Sequence, residues 1–196
     1  MGTLGDDETD AAAIAASLRA PERFRPIVER HFAEVYAYLG RRTGRDIAED
    51  LAAECFATAF RSRAGFDLHR DSARSWLYGI ATNLLRHHRR DEFRRLAAYG
   101  RAAAAEPPAE DGAEAVAVRL DASATIGRVA EAFARLDEDQ RDALYLVAVV
   151  GLSYHDAAQA LGVKAGTVHS RVARARTRLR DLAGLMGQQL SDGKER

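Results

Sequence analysis

The sequence predicts an all-α protein built from two small helical domains, and three observations lead there. Alanine is abundant while runs of Val, Ile and Thr are scarce, and Ala is the best helix former whereas β-branched residues mark strands. Only four prolines occur in 196 residues. Apolar residues recur at steps of three and four, the period of an amphipathic helix, on both sides of a segment that cannot build a core. That segment, AAAAEPPAEDGAE at residues 102–114, holds a Pro pair, one Gly and four acids but no large apolar side chain. It reads as a flexible acidic linker. The expected organisation is a weakly ordered acidic extension at 1–20, a first domain at 21–101, a linker at 102–122, a second domain at 123–185 and a tail at 186–196.

In the first domain Phe24, Val28, Phe32, Val35 and Leu39 mark a first long helix, which Gly40 and Gly44 end. Asp46 and Glu49 form a D-x-x-E capping box for a second helix, whose apolar face carries Ile47, Leu51, Cys55 and Ala59 beside Phe56 and Phe60. A third helix begins after Ser72 and runs through Trp76, Leu77, Ile80, Ala81, Leu84 and Leu85 into a basic end. Ahead of these, Ile14 and Leu18 have the spacing of a short docking helix. In the second domain Ile126, Val129, Ala130, Phe133 and Leu136 form one helix. Asp137 with Gln140 caps the next, which carries Leu144, Leu146, Val147 and Val150 and closes at Gly151. Ser153 with Asp156 caps a short helix ending at Leu161, and after Gly162 a last long helix runs from about Gly166 into Leu182.

Composition excludes several classes. A single cysteine, Cys55, rules out an internal disulfide framework and a Cys-based zinc cluster. No stretch approaches the roughly 20 apolar residues of a membrane span, so no membrane insertion is expected. The acidic N-terminus (Asp6, Asp7, Glu8, Asp10) lacks the basic and apolar pattern of a secretory signal, which points to a cytoplasmic protein. Lys+Arg 29 against Asp+Glu 29 give a net charge of zero, which taken alone argues against nucleic acid. The charges are segregated, however. Acids gather in the N-terminal tail, the second helix and the linker, whereas arginines gather on two helices.

Three constellations carry function. Ala158, Gly162, Val163 and Val168 have the spacing of a helix-turn-helix: a small residue where the helices touch, glycine where φ turns positive, and apolar residues where the second helix packs back. On that second helix Thr167, Ser170, Arg171, Arg174 and Arg178 lie along one side, and residues 164–180 hold six Lys or Arg and no acid. Short polar groups near the N-terminus and arginine forks beyond suit a helix that reads a major groove. The second constellation is the basic end of the third helix, where Asn83, Arg86, His87, Arg90 and Arg94 project opposite Leu77, Ile80 and Leu84. It suits phosphate and base edges, although a solvated helix end gives the same pattern. Trp76 suits either a core or a base-stacking role. The third is the acidic side of the second helix, Asp46, Glu49, Asp50 and Glu54, fit to dock a basic partner or merely to complement the helix dipole.

The segments AEDLAAECFATAF (48–60), WLYGIATNLLRHHRR (76–90) and GLSYHDAAQALGVKAGTVHSRVARARTRL (151–179) resemble regions 2.2, 2.3–2.4 and 4.2 of bacterial RNA polymerase sigma factors. The short two-domain plan is similar to the extracytoplasmic-function (ECF) group. The resemblance implies a dissociable promoter-recognition subunit, not an enzyme and without cofactor or metal. Its partners would be core RNA polymerase, promoter DNA and an anti-sigma factor. By the same resemblance Asp50, Leu51, Glu54 and Phe56 match the region that docks on core polymerase, and Asp46 and Glu49 belong to the same docking surface as members of the acidic side. Trp76, Asn83, Arg86, His87 and Arg90 match the helix that opens and reads the −10 element, with the loop from Phe66 to Ser72 helping to hold an extruded base. Thr167, His169, Ser170, Arg171, Arg174 and Arg176 match positions that contact the −35 element. Ala53 stands where the family often has Gln, and His169 where Lys or Arg is common.

Two other classes compete with this reading. A stand-alone helix-turn-helix regulator would bind DNA tightly without polymerase, usually as a dimer on a palindrome. A metal-dependent hydrolase would need a ligand motif among the six histidines, yet no H-E-x-x-H occurs and the neighbours His87 and His88 point about 100° apart on a helix.

Overall fold

The computed structural model describes residues 8–103, 133 and 135–192, and every described regular element is helical. The elements are α1 (Asp10–Ser17), α2 (Arg25–Thr43), α3 (Arg45–Ser62), α4 (Arg74–Ala103), α5 (Glu138–Ala148), α6 (Tyr154–Leu161) and α7 (Ala165–Asp192), with short 3₁₀ turns at Pro21–Phe24 and Arg63–Gly65. The expected helix through Ile126, Val129 and Ala130, most of the acidic linker and the last four residues lie outside the described residues.

In the first domain α2, α3 and α4 pack around Ile27, Val35, Leu39, Cys55, Leu77 and Leu85, all essentially inaccessible to water. Each large side chain buried in this way contributes roughly 1.5–3 kcal/mol. Part of the amino-terminal segment, Asp10–Ser17, forms a helix. Thr9 caps α1 by accepting from the Ala12 amide at 3.2 Å, and Ala13 and Ile14 are fully buried against the first domain. Leu18, the other half of the expected docking pair, lies beyond the helix and is exposed.

Two expected helix boundaries move. Gly40 does not stop α2, because it holds ordinary helical backbone and faces Ala48 across the α2–α3 contact. The helix ends instead at Gly44, where φ is 90°. That same residue launches α3, so the helix starts at Arg45 and the Asp46–Glu49 capping box does not form. Asp46 sits inside the first turn, where its charge still favours the helix dipole.

The second domain is α5–α6–α7 around Leu144, Leu146, Ala157, Val168, Val172 and Ala175. Asp137 occupies the N-cap position of α5 but makes no side-chain cap bond, whereas Ser153 caps α6 by accepting from the Asp156 amide at 3.0 Å. Helix α7 runs to Asp192.

Cys55 is buried on the apolar face of α3, with Sγ donating to the Leu77 carbonyl at 3.6 Å. Burial pushes its pKa up to about 12, and the thiolate that reacts with electrophiles is therefore suppressed. A thiol reagent such as DTNB should leave the native protein unlabelled and modify Cys55 only in denaturant. Rapid labelling of the native chain would contradict this placement.

Candidate nucleic-acid and polymerase interfaces

The helix-turn-helix is formed by α6 and α7. Gly162 takes the left-handed conformation (φ 65°) that terminates α6, and the Val163 amide donates to the Ala158 carbonyl at 3.0 Å. Ala158 and Val168 are buried where the helices meet, the reason their spacing is legible in the sequence. On α7, Arg174, Arg176 and Arg178 are exposed, Thr167 is half-buried, and the Ser170 hydroxyl donates to the Thr167 carbonyl at 2.9 Å. His169 is exposed and its ring stacks on Tyr154 at 3.7 Å between centroids, nearly parallel. Arg171 is half-buried and donates through Nη2 to Asp139 on α5. Asp137, Glu138 and Asp139 thus wall one side of a shallow concavity whose other side is Thr167, Ser170, Arg171 and Arg174.

On α4 the sequence-selected residues separate into two faces. Asn83, His87 and Arg90 are exposed and in line with half-buried Trp76, whose ring is tilted against Phe66 at 5.0 Å. Arg86 does not share that stripe. It turns toward the second domain, donating from Nε to Asp142 and from Nη2 to Asp139, each at 2.7 Å. The loop before α4 is fixed by Asp67, which accepts from the His69 amide at 3.1 Å and pairs with Arg70 at 3.3 Å. Phe66, Asp67, Arg70, Ser75 and Trp76 line a cleft of about 180 Å³ that Gln159 of α6 closes.

Helix α3 presents Asp46, Glu49, Asp50 and Glu54 to solvent, with Ala53 among them and Leu51 half-buried at the edge. Glu54 accepts from Arg61 at 2.7 Å and from Thr58 at 3.1 Å, and these bonds hold its pKa below the usual carboxylate value. Phe56 departs from this surface. Its residue is only 6% exposed and its ring packs on Phe32 at 5.9 Å, so it supports α3 from beneath.

Several residues at these surfaces escaped the sequence reading. Asp10 of α1 is buried and accepts from His31 Nε2 at 2.7 Å, the Ala73 amide at 2.8 Å, Arg30 at 3.1 Å and the Ser72 hydroxyl at 3.4 Å. It thereby anchors the start of α4 from another helix. Asp142 is wholly buried and takes Arg42 as well as Arg86. Gly79, mid-helix in α4, lies against the Ala160 backbone of α6. An acid amid the apolar residues of α5 and a glycine inside a helix were the available signals, since each is unfavourable without a tertiary reason.

Two helical domains, one ending in a helix-turn-helix and the other exposing a basic helix and an acidic one, define the class of RNA polymerase sigma factors. Residues 27–95 match Sigma-70 region 2 and residues 126–179 match Sigma-70, region 4. The ECF sigma factor SigC of Mycobacterium tuberculosis is 33% identical over 180 residues, covering 90% of this chain and 92% of its own. Among solved structures, the chain is similar to CnrH bound to the cytosolic domain of CnrY (TM-score 0.60, 26% identity, 90% of this chain and 97% of that one). It is also similar to the sigma factor RpoE bound to the anti-sigma factor NepR from Bartonella quintana (TM-score 0.57, 26% identity, 83% of this chain and 98% of that one). The chain belongs to the ECF group of RNA polymerase sigma factors, subunits that bind core polymerase and promoter DNA and direct transcription initiation. It is therefore not an enzyme in its own right. Among the described residues, no helix is long and apolar enough to cross a membrane.

Proposed function

We propose that three surfaces divide the work of initiation. The acidic side of α3, through Asp46, Glu49, Asp50 and Glu54 with Leu51 at its edge, docks on core polymerase. Trp76, Asn83, His87 and Arg90 of α4, with Arg86 beside them, read and hold the opened −10 element, and the Phe66–Trp76 cleft receives an extruded base. Thr167, His169, Ser170, Arg171, Arg174 and Arg176 of α7 contact the −35 duplex. No covalent bond is made; the cost of unstacking bases is offset by base and phosphate contacts formed only in the open complex. The observation that carries this reading is the segregation of exposed charge, with carboxylates on α3 and arginines on α4 and α7. The setting is cytoplasmic, and an anti-sigma factor is the expected inhibitor, as NepR is partnered with RpoE.

Run-off transcription with core polymerase on genomic fragments tests the whole assignment, and transcripts starting at defined sites only when the chain is present are expected. Arg174 tests the −35 surface. Replacing it with Ala should weaken −35-dependent transcription by about 1–3 kcal/mol if its guanidinium forks to a base. Promoter preference identical to the parent's would remove Arg174 from the reading set.

A further inference from the structure

Helix α4 begins at Arg74 without a cap of its own making. Ala73 precedes it and accepts the first helical bond, from the Leu77 amide at 2.9 Å, but has no side-chain oxygen to offer the first turn. In a capping box the third helical residue would accept from the Ala73 amide. Here that third residue is Trp76, whose indole can only donate. Both acceptors come from outside the helix. Ser72 Oγ takes the Arg74 amide at 3.3 Å, and Asp10, reaching across from α1, takes the Ala73 amide at 2.8 Å.

The two oxygens of Asp10 face different neighbours. Oδ1 accepts from Arg30 at 3.1 Å, whereas Oδ2 accepts from His31 of α2 at 2.7 Å, from the Ala73 amide and from the Ser72 hydroxyl at 3.4 Å. A single atom thus ties α1 and α2 to the end of the Phe66–Ser72 loop and the start of α4. Helix α1 is itself fixed, through fully buried Ala13 and Ile14. At the other end of the loop, buried Phe66 lies against Trp76 at 5.0 Å. Between these anchors Asp67, Leu68, His69, Asp71 and Ser72 are exposed. The stance of the loop over the Phe66–Trp76 cleft is therefore set at its two ends.

We propose that Asp10 is a positioning residue for promoter opening, which makes the amino-terminal helix α1 part of the −10 machinery. Asp10 touches no DNA in this role. Through Oδ2 it fixes the end of the loop and the first turn of α4, and with them the width of the cleft beside Trp76. A displacement of about 1 Å there is enough to degrade the fit of a captured base. The inference rests on the reading of that cleft as the receiver of an extruded base.

The test uses holoenzyme, core polymerase with the full chain, on fork-junction DNA from a promoter mapped by run-off transcription. Each substrate carries one abasic site, moved in turn along the non-template strand of the −10 element. The readout is the ratio of affinities for intact and abasic DNA. Unfolded molecules lower both affinities by the same factor, so a loss of stability leaves the ratio unchanged. The parent should show a penalty of about tenfold at one position, the captured base. Asp10→Ala, which removes the acceptor, should reduce that penalty to about twofold. Asp10→Glu should do the same while retaining the charge, because it carries the oxygens one methylene further. Arg30→Ala unloads only Oδ1 and should keep the full penalty. A penalty that survives in Asp10→Ala or Asp10→Glu, or that disappears equally in Arg30→Ala, would overturn the proposal. A parent indifferent to every abasic site would refute the base-capture reading itself, and this inference with it.

Discussion

Replacing Asp10 with Ala should destabilise the first domain by about 3–5 kcal/mol, the cost of stripping one partner from a buried ion pair. The expectation follows from how much converges on this carboxylate: His31, Arg30, the Ala73 amide and the Ser72 hydroxyl all donate to it within a site closed to solvent. Removing it leaves His31 and the amide at the head of α4 buried without an acceptor. The readout is urea unfolding followed by fluorescence of Trp76, the chain's single tryptophan, which lies on α4 within three residues of Ala73. A loss below about 1 kcal/mol would show that the node is incidental, since that is the range of an exposed pair.

The same group makes a pH prediction with a defined sign. Burial alone would raise the Asp10 pKa, but the hydrogen bonds from His31, the Ala73 amide and Arg30, with the His31 charge, outweigh it and bring the value down from 3.8 to about 2. The folded pKa is thus below the unfolded one, so the contribution is complete above about pH 4 and is lost as pH falls toward 2. The gap is worth roughly 2–3 kcal/mol. The Ala variant should lack this component, and its stability should therefore fall less steeply over that acid range than the parent's.

What the sequence made legible was local, and what it hid was long-range. The helix-turn-helix could be read because Ser153, Ala158, Gly162, Val163 and Val168 are all constrained within one turn or two of each other. Asp10 could not be paired with His31 or Ala73, because helical periodicity carries no information about contacts across 21 or 63 residues. The pairing of Arg86 with the second domain is hidden for the same reason. A single apolar stripe on α4 implies water on everything opposite it, but this helix is covered on two sides, by its own domain at Leu77, Ala81 and Leu85 and by the second domain at Gly79 and Arg86. Capping motifs fared unevenly for the same physical reason that boundaries are hard: at α3 a glycine with positive φ starts the helix one residue before the Asp that matches the motif.

Reversing Asp50 and Glu54 together to Lys should abolish association with core polymerase, weakening it by more than about a hundredfold. The two lie four residues apart on the exposed side of α3, so both reversals fall on one patch and turn attraction for a basic partner into repulsion. The fold should survive. Neither side chain is buried, Lys favours helix, and the Glu54 bonds to Arg61 and Thr58 are surface contacts of small value. Co-purification with core, set beside a melting curve matching the parent's, separates lost docking from lost structure. A double variant that melts normally and still co-purifies would move the docking surface elsewhere. The Arg174 variant provides the opposite dissection, because it should keep core binding while losing −35 preference. A chain with zero net charge serves both partners only if its charges are kept apart, and the two variants probe the two signs separately.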